Sequence, residues 1–277
     1  MSTPTQETYA YQSPIPVRRA TLGDALASEW TKIRSVRSTM WTLGTMVLLM
    51  LGIGLLTALA VNMASSGGAE IDTSGQTVLS LGFFGTLLGS ICVITLGVLT
   101  VTSEYTTGMI RPTLTACPAR GRVLAAKAIV FAGLVFVLTT VVAGIVAALQ
   151  TALVDTSAPP TTEAWLRASV GVGLYLSLLG LLAMGVGAIV RHSAGAITAS
   201  IGLVLLPLVL ALFMVAEKLE GVRQALFEYS IPSQLSVLYD NPVTTSGPAG
   251  WDPLWIMLIA VAVVLGAAFA LLDRRDV

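Results

Sequence analysis

The chain has 277 residues, 55% of them hydrophobic and only 11% charged, with a mean hydropathy of +0.85. Soluble domains carry about 25% charged residues, so most of this chain faces lipid or other apolar helices rather than water. Fifteen basic and fifteen acidic residues cancel, which leaves no basic surplus to hold nucleic acid.

Residues 1–20 are polar, carry Pro4, Pro14, Pro16 and Arg18-Arg19, and show no periodicity. They read as a disordered cytoplasmic tail. They do not read as a signal peptide, because the first apolar run starts only near Trp41 and is about twice the length of a signal core.

Residues 21–40 read as an interfacial elbow, helical to about residue 37. Thr21, with Asp24 three residues on, can cap its start. Leu22, Ala25, Leu26, Trp30, Ile33 and Val36 share one face at a period of 3.6. Such a helix lies in the membrane interface with Trp30 at headgroup level. Lys32, Arg34 and Arg37 can reach anionic lipid, each contributing about 1 kcal/mol. Glu29 breaks the pattern by projecting into the apolar face. Either it snorkels out to water, or it meets a cation elsewhere in the cytoplasmic layer.

Residues 41–277 read as a six-span unit. The apolar runs fall at about 41–62, 79–102, 124–150, 168–190, 194–216 and 253–272, each long enough to cross about 30 Å of hydrocarbon. Only Arg191-His192-Ser193 separates the fourth from the fifth, so these two form a tight hairpin. With six alternating spans, Arg18, Arg19, Lys32, Arg34, Arg37, Arg111, Arg120, Arg122, Lys127, Arg191, Arg274 and Arg275 share one side. Arg167, Lys218 and Arg223 are left on the other. That asymmetry predicts a multi-pass protein of the cell membrane with both termini cytoplasmic. Between the last two spans, Leu219, Val222, Leu226 and Tyr229 recur at helical spacing. Pro232 interrupts, and Leu235 and Leu238 follow. Two short helices dipping back toward the membrane fit this pattern, as does a loop packed on the outer surface.

The second span carries a stripe of small or weakly polar residues: Gly82, Thr86, Gly89, Ser90, Gly97 and Thr100. The fourth repeats it with Gly173, Ser177, Gly180 and Gly187. Small residues let helices approach closely; a substrate-lining face is the other reading for the second span. Pro207 would kink the fifth span. No ionisable residue sits near the middle of any span, where ion-coupled carriers usually place one. Cys92 and Cys117 fall at different depths, so no disulfide is expected. No His/Cys cluster offers a metal site. The only lysines, Lys32, Lys127 and Lys218, never follow a glycine, so the chain has no phosphate-binding loop of the Gly-Lys-Ser/Thr kind. Energy for uphill transport would come from another subunit.

The polar stretch between the second and third spans then stands out. Glu104-Tyr105-Thr106-Thr107-Gly108-Met109-Ile110-Arg111, followed by Leu114, Pro118, Arg120, Leu124, Ala126 and Lys127, resembles the corresponding loop of ABC transporter permeases of the type 2 exporter class. Ala27-Ser28-Glu29-Trp30-Thr31-Lys32-Ile33-Arg34-Ser35 is similar to the elbow helix of actinobacterial members. The chain departs from the commonest pattern at Met109-Ile110, and Pro112 removes a backbone donor. The resemblance implies an all-α membrane fold with an elbow helix, a cytoplasmic coupling helix within 103–122, and short outer helices before the last span. It also implies partners: cytoplasmic ATPase subunits that carry the ATP and Mg, and a second permease copy or a sister permease. Gly108 permits a sharp bend. Glu104 can pair with Arg111 or with an arginine of the ATPase. Arg111, Arg120 and Arg122 suit bidentate contacts to acidic partners, and Pro118 ends a helical segment before the third span. The plainer reading makes Glu104 a membrane-boundary carboxylate and the arginines positive-inside anchors.

The expected function is therefore a non-catalytic permease subunit that moves a hydrophobic or amphiphilic drug, lipid or peptide outward. By family analogy its path runs along the first, second and fifth spans, with Thr86, Ser90, Thr100 and Pro207 as candidate lining. An ion-coupled secondary transporter and a non-transporting membrane scaffold are the alternatives.

Overall fold

The computed structural model describes residues 21–67, 77–109, 120–154, 159–214, 216–242, 244 and 246–274. Among these the chain folds as nine helices with no strand. Helix α1 (Leu22–Ser35) opens on a full capping box: the Asp24 N–H donates to Thr21 Oγ1 at 3.3 Å, and the Thr21 N–H donates to Asp24 Oδ2 at 2.9 Å. Extended backbone at Val36 ends it, and α2 (Arg37–Ser66) begins at the next residue. The helix thus starts before the apolar run predicted from Trp41, because nothing in Ser38-Thr39-Met40 breaks it.

A 3₁₀ turn, Val78–Gly82, leads into α3 (Phe83–Thr106), and α4 covers Arg120–Leu153. Helix α5 (Thr162–Val190) contains one π turn at Arg167–Gly171, where the Val172 N–H reaches back to the Arg167 carbonyl. Arg191 then adopts a left-handed φ of 58°. His192 caps α6 (Ser193–Phe213), its Nδ1 accepting from the Gly195 N–H at 3.1 Å. Two short helices, α7 (Glu220–Glu228) and α8 (Ile231–Leu238), precede α9 (Asp252–Arg274). Six of the nine (α2, α3 with its 3₁₀ turn, α4, α5, α6 and α9) are long and apolar enough to cross a membrane.

Burial ranks these spans. Inside its most apolar window α5 is 72% buried and α3 56%, whereas α9 is only 17% buried. Helices α3 and α5 therefore form the centre of the bundle. Small residues let them do so. A Cβ added at Gly85 would lie 2.9 Å from the Met50 carbonyl oxygen of α2, and one at Gly97 would strike the Gly180 carbonyl of α5. The backbones touch where side chains are missing, which suits an environment where lipid gives helices no hydrophobic reason to associate. The small-residue stripe of the second span is thus a packing surface on both flanks of α3.

At the end of the bundle away from α1, α8 is buried along its whole length. The residue after it, Tyr239, places its hydroxyl 2.5 Å from Thr86 Oγ1, and its carbonyl accepts from Thr77 Oγ1 at 3.1 Å. Arg167, in the π turn, donates to Asp240 at 3.2 Å. The connection before the last span is therefore two helices, the second tied into the bundle.

A side chain at Gly97 has no room, so Gly97→Val should destabilise the protein by about 1–3 kcal/mol through overpacking. Gly52, where a Cβ meets nothing within 4 Å, is the control. Thermal unfolding in detergent should fall for Gly97→Val and stay at the wild-type value for Gly52→Ala.

Candidate functional site

Glu29 and Lys32 stand three residues apart on α1, so both project toward the same side. Their neighbours are the last turn of α3, which presents Glu104, and the second turn of α4, which presents Lys127. Lys127 Nζ donates to Glu29 Oε2 at 2.6 Å and to Glu104 Oε1 at 3.0 Å. Lys32 Nζ donates to Glu29 Oε1 and to Glu104 Oε1, both at 2.8 Å. Each carboxylate meets two ammonium groups, and each ammonium group meets two carboxylates. The result is a closed, neutral ring of four charges joining three helices. Glu29, Glu104 and Lys127 are 4%, 8% and 4% exposed, and Lys32 covers the remaining side.

Burial is what makes the ring consequential. Desolvating an ion costs several kcal/mol, and only good geometry with opposite charges offsets it. An alternating ring meets that demand with every member held from two sides. Lys32 records the balance. Burial alone would lower its pKa, but the hydrogen bonds and negative charges of Glu104 and Glu29 outweigh that, and its pKa lies above the ordinary value of 10.5.

Two further features gather at the same turn of α3. The guanidinium of Arg191, in the hairpin between α5 and α6, lies over the Tyr105 ring, 5.2 Å from its centroid, a cation–π distance. Adjacent residues of α3 thus connect to different parts of the bundle, Glu104 to α1 and α4, Tyr105 to the α5–α6 hairpin. Two residues past the helix end, Gly108 takes a φ of +70° with open space where a Cβ would be. Its N–H donates to the Tyr105 carbonyl at 3.3 Å. This left-handed cap fixes the direction in which the chain leaves α3.

The elbow residues Glu29, Trp30, Lys32 and Arg34 separate into two sets: Glu29 and Lys32 face the ring, while Trp30 and Arg34 are exposed. Glu29 does meet a cation, and it meets two. Lys32 turns inward to carboxylates where lipid contact was expected. Glu104 is held by Lys32 and Lys127; Arg111, the partner expected for it within the chain, is not among the described residues. Both lysines converge on its Oε1, and Oε2 has no hydrogen bond among the described residues. Arg120 opens α4, and Arg122 follows it as an exposed residue. Arg111 and Pro118 lie outside the described residues. Thr86 and Ser90 are buried at 2% exposure, whereas Thr100 and Pro207 are half-buried.

The residues expected for the site do not include Lys127, which counts toward orientation and the resemblance, nor Arg191 and Tyr105, which count toward orientation and the resemblance respectively. One signal pointed to Lys127. It stands inside Leu124-Ala125-Ala126-Lys127-Ala128-Ile129, where a helix of this polarity has no reason to carry a charge unless a carboxylate receives it.

Residues 25–216 match the family described as ABC-2 family transporter protein. The matched segment contains all four ring residues and both stems of the loop between α3 and α4. No curated protein matches the chain.

Removing one member of the ring strands a buried charge. Lys127→Met should cost about 3–5 kcal/mol, read as a lowered unfolding temperature, and Lys32→Met should cost less because Lys32 is a third exposed. The raised Lys32 pKa also sets a pH limb. The stabilisation it carries is complete below 10.5 and is lost as pH climbs through the higher folded value. Between 10.5 and that folded value the wild type should lose stability more steeply than Lys32→Met, with no difference in slope between neutral pH and the ordinary lysine value.

Proposed function

The chain belongs to the ABC-2 transporter family as a multi-pass permease component, and we propose that it exports a hydrophobic or amphiphilic compound, driven by a separate ATPase. The ring of Glu29, Lys32, Glu104 and Lys127 carries this reading. The loop between α3 and α4 is the segment through which such a permease would receive force. One of its stems ends just after Glu104, and the other begins shortly before Lys127. Both stems are held to the same helix, α1, by the same four charges.

A push on such a loop has a defined effect. With unattached stems it would be absorbed by bending between Thr107 and Arg120. With stems locked to α1, loop and elbow move as one body, and α1 passes the displacement directly to α2 through the single extended residue Val36. The ring would thus convert closure of two ATPase subunits, which bind the ATP and Mg, into tilting of the first span. Glu104 Oε2 is the acceptor left for Arg111 or for an arginine of the ATPase. Arg120 and Arg122 would face its acidic residues.

The rest of the assignment follows from this role. The loop and both termini would lie in the cytoplasm, in line with twelve of the fifteen basic residues on that side. Two copies, or this chain with a sister permease, would face one another. The substrate would pass along α2, α3 and α6, where Thr100 and Pro207 are half-buried, and conformational change would bring Thr86 and Ser90 to that path.

The test is a transport assay in membrane vesicles with the ATPase bound. Glu104→Ala and Arg111→Glu should abolish or strongly reduce export while membrane insertion and ATPase co-purification persist. Replacing all four ring residues with apolar ones of similar size should restore much of the stability lost in the single variants without restoring export. Wild-type export by the fourfold variant would remove the ring from the coupling path.

A further inference from the structure

The elbow helix leaves a second structural consequence on its other side. Helix α1 packs chiefly on α4, where Lys127 holds Glu29, and a groove opens between α1, α2 and α4. It encloses about 390 Å³, inside the range of roughly 300–1,000 Å³ that holds small molecules. Trp30 and Arg34 form its mouth, Gly44 and Val47 of α2 one wall, and Leu134 and Leu138 of α4 the other. Leu134 and Leu138 lie seven and eleven residues beyond Lys127 on the same helix, which is roughly 10–16 Å deeper at 1.5 Å per residue. The groove is therefore elongated along the helix axes, apolar in its depth and basic at its mouth. Gly44 is what keeps it open, since a Cβ there meets nothing within 4 Å.

We infer that this groove holds one acyl chain of an anionic phospholipid whose phosphate rests on Arg34. The charge pattern selects the headgroup. Helix α1 has two acids, and both are engaged, Asp24 with Thr21 and Glu29 within the ring. Arg34 is exposed at the groove mouth, and among the described residues it has no ion-pair partner, so a phosphate there finds a cation and no competing carboxylate from α1. The indole of Trp30, half-exposed beside Arg34, suits the level where headgroup meets hydrocarbon. The depth of the groove excludes a purely polar ligand, because Leu134, Leu138 and Val47 offer no hydrogen bond. A bilayer supplies an occupant of this shape at high local concentration. The site is independent of the export reading, since it requires only that α2 and α4 cross the bilayer.

The experiment places the full-length protein in nanodiscs of equal parts phosphatidylglycerol and phosphatidylcholine, extracts it into detergent, and counts retained lipids by native mass spectrometry. The wild type should retain one phosphatidylglycerol in preference to phosphatidylcholine. Gly44→Leu fills the groove with a residue that favours helix, and should lower retention about tenfold, a loss of about 1.4 kcal/mol, with thermal unfolding unchanged. Arg34→Gln should keep a lipid but lose the headgroup preference. If Gly44→Leu does not fold, Leu134→Trp fills the groove from α4 and should lower retention in the same way. Wild-type retention by the filled variants would overturn the proposal, as would wild-type protein with no headgroup preference. A filled variant that changes the dimer–monomer equilibrium at unaltered lipid count would assign the groove to a second copy and overturn it equally.

Discussion

Four charges withdrawn from water in an alternating ring govern this end of the molecule. Such an arrangement does not stabilise a fold more than a well-packed apolar cluster of the same volume would. Its physical distinction is intolerance of partial occupancy. A leucine cluster that loses one contact keeps the rest, whereas a ring that loses one member leaves like charges facing each other across a poorly solvated gap. The three helices that meet there, α1, α3 and α4, can therefore separate only at high cost, and they separate all together or not at all. That behaviour suits a joint that must carry force. The cation–π contact of Arg191 with Tyr105 extends the joint to the α5–α6 hairpin without adding a buried ion pair.

Above the joint the bundle is held by a different principle. In lipid, apolar side chains gain little by leaving one another or by meeting, so close backbone approach and dispersion decide which helices associate. Helix α3 meets α2 through Gly85 and α5 through Gly97 and Gly180, and these contacts account for the high burial of α3 and α5. Helices α2, α6 and α9 keep large apolar faces turned outward, Trp41, Leu48, Phe213 and Ile259 among them. The protein thus has a rigid centre, a rigid joint at one end, and outer helices whose partners are lipid or another chain.

How far this could be read in advance differed by level. The six spans, the capped elbow and the short helices before α9 follow from local rules, hydropathy over a window, a Thr–Asp pair three apart, helical spacing interrupted at Pro232. The left-handed exit at Gly108 follows from one residue type. The ring does not, because three of its four bonds join residues 23, 72 and 98 positions apart, and periodicity reports nothing at that range. What the sequence did show was half of it. Glu29 in an apolar face is an anomaly that calls for a cation, but Lys32, assigned to lipid, and Lys127, assigned to orientation, each had a sufficient local explanation. The contact of Glu104 with Lys127 is hidden for the same reason, since Lys127 arrives from the next helix. Likewise the pairing of Gly97 with Gly180 rests on which helices adjoin, and a small-residue stripe does not say on which side its neighbour lies.

The π turn in α5 has a bearing on how such a chain can change over generations. It closes over one residue more than an α turn, so it amounts to a single inserted residue absorbed within a transmembrane helix. At 3.6 residues per turn that insertion rotates everything before it by about 100° relative to everything after it. The rotation is what lets Arg167 point at Asp240 while Gly180 still meets α3. Deleting any one residue of Arg167–Gly171 would give a more regular helix and a hydropathy profile no tool would question, yet one half of the span would face the wrong neighbours. A loop tolerates a change of length; in this helix the residue count itself decides which faces meet.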